Sequence, residues 1–132
     1  MGAYAVSLHA QPRATKDLDI LIQADAENGQ AVYAALVQFG APLEVLSAKD
    51  FAEHGPFFHM GREPVAAYLL TEIPSVAFDV AWERRVEDVI DVVSGLKANF
   101  ISRADLMAAK RAAGRPQDLA DVEAMRQAEE IQ

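Results

Sequence analysis

The stretch Asp17-Leu18-Asp19-Ile20-Leu21-Ile22 alternates carboxylates with branched aliphatics. Successive side chains of a β-strand leave on opposite faces. A strand here therefore carries Asp17 and Asp19 on one face and turns Leu18, Ile20 and Ile22 towards a core. Arg13 and Thr15 precede it, giving the spaced pattern Arg-x-Thr-x-Asp-x-Asp. Two co-facial carboxylates at a strand end form a candidate Mg²⁺ site, because Mg²⁺ takes hard oxygen ligands and is commonly held by one or two carboxylates plus substrate phosphates. The plain alternative for the same residues is a solvated strand face. Arg13 could contact a phosphate or pair with Asp17 across a turn, an exposed ion pair of little energetic weight.

The rest of the chain suits a small folded domain. Its 132 residues, with 52% hydrophobic and 24% charged side chains, fit one globular domain spanning 1–132. The formal net charge of −8 opposes non-specific nucleic-acid binding, which depends on Lys and Arg neutralising phosphates. A nucleotide would be repelled too, unless a bound cation or local basic groups offset the field. The absence of cysteine excludes disulfides and thiolate metal sites. No apolar run reaches the roughly 18 residues that would mark a membrane span. The start lacks the basic and apolar regions of a signal peptide. A cytoplasmic protein with no membrane partner is expected.

Turn and cap residues divide the chain. An apolar segment over 2–10 has helical potential and stops at Pro12. The first strand is expected over Lys16 to Ala24. Asp25 caps a helix ending at Phe39, with Val32, Ala35, Leu36 and Phe39 on its inner face, and Gly40 and Pro42 terminate it. Ser47 caps one or two helical turns up to Glu53, before the Gly55-Pro56 break. Phe57 to Met60 and Val65 to Thr71 read as a hairpin around Gly61-Arg62-Glu63-Pro64. Phe78 to Arg85 reads as a short helix, with Phe78 and Trp82 spaced for the core. Val86 to Val93 is β-branched and reads as a strand, with a further short strand over Ala98 to Ile101. Ser102 and Asp105 make an imperfect capping box, Gly114 ends that helix, and Pro116 opens the last one. Leu119, Val122, Met125 and Ala128 are expected on its inner face. The class is α+β: a small mixed sheet packed by helices, ending in a helical pair.

Front and back of the chain together resemble the nucleotidyltransferase superfamily, in particular its small bacterial minimal-nucleotidyltransferase and abortive-infection-toxin-like members. Those proteins run Gly-Gly-Tyr-Ala-Val, a short helix, then Arg-x-Thr-x-Asp-x-Asp and a hydrophobic strand. The corresponding residues here are Gly2-Ala3-Tyr4-Ala5-Val6 and Arg13 to Ile20, and the resemblance continues through Asp105-Leu106, Lys110 and Gly114-Arg115-Pro116-Gln117-Asp118-Leu119-Ala120-Asp121. It implies that Asp17 and Asp19 are metal-binding and catalytic, and that Gly2, Arg13 and Thr15 help to place a nucleoside triphosphate. The metal would neutralise charge while the protein positions the reactants.

Three departures stand against that pattern. Ala3 replaces the second glycine and adds a methyl where backbone must approach a phosphate. Tyr68 occupies the position at which relatives carry a third carboxylate, and a phenol with a pKa of about 10 is a poor Mg²⁺ ligand and base. The helix and strand that usually precede the glycines do not stand before Gly2 in this sequence: either the start is truncated or the fold manages without that strand, and in the second case the sheet has an unpaired edge of the kind that invites pairing with another chain. The expectation is a nucleotidyltransferase-fold protein of weak or lost activity, a binding or assembly module in a toxin–antitoxin or defence setting, with homo-oligomerisation and a protein partner. The alternative is an active Mg²⁺-dependent enzyme moving a nucleoside monophosphate to a hydroxyl on a protein, RNA or small molecule.

The remaining polar residues read as structural. His9, His54 and His59 lack zinc-type spacing. Lys110, Arg111 and Arg115 with Asp118 and Asp121 suit the dipoles of two consecutive helices, although Lys110 could instead face a substrate.

Overall fold

The computed structural model describes residues 17–43, 46–54, 57–62 and 65–131. The apolar segment over 2–10 and the Gly55-Pro56 break lie outside them. Among the described residues the chain is α+β, with a three-stranded sheet, a two-stranded sheet and four helices, the last two forming a C-terminal pair. A division between Ile73 and Pro74 separates two compact units.

The first unit runs β1 (Asp17–Leu21), α1 (Ala26–Phe39), a 3₁₀ turn (Ala48–Phe51), β2 (Phe57–Arg62) and β3 (Val65–Leu70). Strand order is β1-β3-β2, with β1 parallel and β2 antiparallel to β3. The carboxylate of Asp25 accepts the Asn28 N–H at 2.7 Å, which satisfies one of the orphan donors at the start of α1. Gly40, at φ 92°, closes the helix by donating to the Leu36 and Val37 carbonyls. The Ser47 N–H donates to Asp50 Oδ2 at 2.7 Å and fixes the 3₁₀ turn. Ile22, Leu36, Phe51 and Leu69 form the core, with Val32, Tyr33, Phe58 and Met60 packed against it. Each such side chain contributes about 1.5–3 kcal/mol on burial.

Four expected inner positions, Leu18, Ile20, Ala35 and Phe39, lie outside this core. Leu18 and Ile20 are each 40% exposed, because the buried cluster gathers at the Ile22 end of β1. Phe39 is 76% exposed. The inner stripe of α1 runs through Gly29, Val32 and Leu36, so the last turn rolls Phe39 outward. Gly29 lets the helix approach the 3₁₀ turn closely: a Cβ there would lie 2.7 Å from the Ala48 carbonyl oxygen.

The second unit runs α2 (Phe78–Glu83), β4 (Val86–Asp91), β5 (Leu96–Phe100), α3 (Arg103–Ala113) and α4 (Pro116–Ile131). Strands β4 and β5 form an antiparallel hairpin whose register shifts between Val89 and Asp91. Ser102 Oγ accepts the Asp105 N–H at 3.2 Å and donates to Asp105 Oδ2 at 3.0 Å, capping α3. Gly114, at φ 68°, ends it by donating to the Lys110 carbonyl. Leu106 and Met125 are fully buried between the paired helices, with Ile101 and Met107 against them.

The inner face of α4 differs from the apolar stripe expected. Leu119 is 51% exposed, whereas Asp118 and Asp121 are buried beside Met125 in an i, i+3, i+7 stripe. Trp82 also departs from its expected core role, being 45% exposed. Its indole stacks on Phe78 at 5.8 Å and takes the Arg85 guanidinium over its ring at 4.1 Å, so it covers its own helix and the next turn.

Candidate functional site

Strand alternation and register bring the acidic positions of β1 together with two aromatic residues. Asp17 pairs in register with Ala66 and Asp19 with Tyr68 across the parallel β1–β3 ladder. His59 pairs with Tyr68 across the antiparallel β2–β3 ladder. Asp19, Tyr68 and His59 therefore form one row across the three strands. That row lies on the face opposite Ile22, Phe58, Met60 and Leu69, the residues that meet α1 and the 3₁₀ turn. Asp17 opens β1, two residues before Asp19.

Asp19 and Tyr68 are part-buried and His59 is exposed. The His59 and Tyr68 rings lie 4.7 Å apart between centroids, tilted by 35°. This face can offer carboxylate oxygens from β1 and stacked rings from the hairpin. Of the expected site residues, Gly2, Arg13 and Thr15 lie outside the described residues. No group of three or more His, Asp or Glu side chains suited to a metal occurs among the described residues.

The aromatic part of the row escaped the sequence reading. A turn over Gly61 to Pro64 would set His59 opposite Ala66. Instead β2 extends to Arg62, which pairs with Val65, and the register moves His59 opposite Tyr68. The sheet face was legible from alternation, but the neighbour was not.

A second polar cluster joins α3 to α4. Lys110 Nζ donates to Asp121 Oδ2 at 2.9 Å and to Asp118 Oδ1 at 3.4 Å, and all three residues are buried. Arg115 Nε donates to Asp118 Oδ2 at 2.7 Å, and Gln117 Nε2 to Asp121 Oδ1 at 2.9 Å. Burial pushes the Asp118 carboxyl upward, but the Arg115 hydrogen bonds and charge, with the Lys110 charge, outweigh it and hold the group below its ordinary value. The cluster thus pins the helix pair, and Lys110 is committed to two internal carboxylates. At the start of α3, Arg84 Nη1 meets the buried Asp105 Oδ1 at 3.3 Å.

No protein-family model, curated protein or solved structure matches this chain. Among the described residues, no helix is long and apolar enough to cross a membrane.

Proposed function

We propose that this chain is a nucleotidyltransferase-type domain whose catalytic power is weak or lost, and that it serves as a binding or assembly module. One observation carries the reading: Tyr68 stands beside Asp19 in the β1–β3 register, at the position where the resemblance calls for a third carboxylate. A phenol there supplies neither a good Mg²⁺ ligand nor a base at neutral pH. The acidic pair would still suit a chelated triphosphate, with Asp17 and Asp19 as the metal ligands and Mg²⁺ neutralising charge at the phosphates. The partners of this reading are a nucleoside triphosphate, a further copy of the chain and a protein target. Such a module suits a toxin–antitoxin or defence setting in the cytoplasm.

The assembly role draws on the edge of the sheet. Among the described residues β1 hydrogen-bonds only to β3, and its Leu18 and Ile20 are half-open. An open edge with apolar side chains favours pairing with another chain. Light scattering is expected to show a dimer that Leu18→Lys weakens. A monomer at all micromolar concentrations would remove the homo-oligomer from the proposal.

The active enzyme remains the second reading, favoured by Asp19, which is only part-buried. Incubation with α-labelled nucleoside triphosphates and Mg²⁺ separates the two. The weak or inactive module leaves acceptors unlabelled, while the enzyme labels them and loses that activity in Asp19→Asn.

A further inference from the structure

We infer that the tip of the β4–β5 hairpin is a docking surface for a protein segment that alternates basic and apolar residues. The inference goes beyond the reading above and stands whether or not the sheet face of the first unit takes a nucleotide.

The tip leaves a run of apolar side chains in water. Val92 is 89% and Val93 97% exposed, with Ile90 and Leu96 more than half exposed beside them. Register sets Asp91 opposite Leu96, so these four side chains gather around one turn. Hydrogen bonds hold that turn. Asp91 Oδ1 accepts the Val93 N–H at 3.1 Å, and its Oδ2 accepts the Ser94 hydroxyl at 2.8 Å. Gly95, at φ 73°, donates its N–H to the Asp91 carbonyl at 2.9 Å. Tight turns favour Gly, Asn, Asp and Ser, each for a backbone reason. Two consecutive valines have no such reason, and burial within their own chain does not supply one. A single exposed apolar residue is ordinary, whereas a contiguous patch marks an interaction site. Presenting the patch on a hydrogen-bonded turn lowers the ordering cost of binding.

Charge selects the occupant. Between Val86 and Phe100 the chain sets three carboxylates, Glu87, Asp88 and Asp91, against one cation, Lys97. Arg85 meets Glu87 at 3.5 Å. Paired residues share a sheet face, so Asp88 lies with Ala98 and Asp91 with Leu96, while Lys97 lies with Val89 on the other face. The Ser94 hydroxyl and the Val93 N–H hold the Asp91 carboxyl below its ordinary value, so it stays charged at neutral pH. A second copy would set these carboxylates against their own kind, in a chain of net charge −8. An anionic lipid surface is repelled for the same reason. A segment with lysines or arginines between apolar residues complements both features. Its apolar side chains cover Val92, Val93 and Leu96, and its cations face Asp88 and Asp91.

The test titrates a short fluorescein-labelled peptide of alternating lysine and valine with the full chain, followed by anisotropy. Peptides alternating lysine with serine and glutamate with valine are the controls. The lysine–valine peptide is expected to bind, and both controls to bind far more weakly. Val92→Ser combined with Val93→Ser should weaken binding about tenfold. Asp88→Asn should weaken it about threefold, a difference that salt removes. Both variants should melt with wild type, since the altered side chains are exposed. No binding of the lysine–valine peptide overturns the inference, as does equal binding by the double valine variant or of the lysine–serine peptide. A dimer in light scattering that the double variant splits would put a second copy on the tip. Phosphatidylcholine vesicles bound by wild type but not by the double variant would put lipid there, and either result overturns the inference. Label transfer from nucleotides reads the nucleotidyltransferase proposal separately, and neither result decides the other.

Discussion

The sheet unit and the helix pair keep their interiors by different means. In the first, Ile22, Leu36, Phe51 and Leu69 pack as hydrocarbon, with Phe51 and Phe58 meeting edge-on at 5.7 Å. In the second, Leu106 and Met125 share the interior with Lys110, Asp118 and Asp121. Hydrocarbon packing is non-directional, and its loss scales with the volume removed. A buried ion cluster is directional, and removing one member leaves the others charged and uncompensated. The helix pair is accordingly specific in its register and vulnerable to single charge changes, while the sheet core is vulnerable to truncation.

The largest effects should fall on these two interiors. Phe51→Ala is expected to cost about 3–5 kcal/mol in urea unfolding. Lys110→Met should also cost about 3–5 kcal/mol, because it takes the shared ammonium away from two buried carboxylates, although Asp118 keeps Arg115. The contrast sharpens with a third variant, Lys110→Met combined with Asp118→Leu and Asp121→Leu, which should recover much of that loss. If the triple variant is no better than Lys110→Met alone, the cluster contributes more than mutual neutralisation.

Acid should separate the units in the same direction. Asp118 is held below its ordinary value in the folded chain, so it binds protons more weakly folded than unfolded. Its contribution is present above the unfolded value of about 3.9 and is lost as pH falls through the lowered folded value. Thermal melts over that range should show a steeper acid loss for wild type than for Asp118→Asn, which has no proton to gain. Parallel acid limbs would contradict this assignment.

A smaller effect tests close approach in the first unit. Gly29→Ala raises intrinsic helix propensity by about 1 kcal/mol, yet its methyl meets the Ala48 carbonyl. The expected outcome is a net loss of about 1–3 kcal/mol. A gain would mean that the 3₁₀ turn yields easily. Smallest are the caps: Asp25→Ala and Ser102→Ala should each cost about 1 kcal/mol.

Local chemistry was the legible part of the sequence. Asp25, Gly40, Ser102, Gly114 and Pro116 mark helix ends that the structure reproduces, because capping depends on neighbours in the chain. The presence of β1 and of the hairpin arms followed from alternation and turn residues, but β1 stops at Leu21 rather than Ala24 and β2 runs on to Arg62. Facing residues were harder. Leu119 is apolar yet turned outward, because Lys110 draws Asp118 and Asp121 inward. Hydrophobicity alone cannot see a charge that brings its partner with it. Phe39 and Trp82 failed for a related reason: a helix stripe is placed by what it packs against, and Gly29 decides that for α1. In the candidate site, the strand that carries Asp17 and Asp19 was readable from alternation. The apposition of Asp19, Tyr68 and His59 was not, since it depends on where β2 ends.

The most direct test of the functional account is label transfer from α-labelled ATP with Mg²⁺, comparing wild type, Asp19→Asn, Tyr68→Asp and the double variant. The account predicts that wild type transfers no more label than Asp19→Asn, that Tyr68→Asp rises above both, and that the double variant falls back. Robust transfer by wild type that Asp19→Asn abolishes, or a Tyr68→Asp variant as silent as the rest, would contradict it.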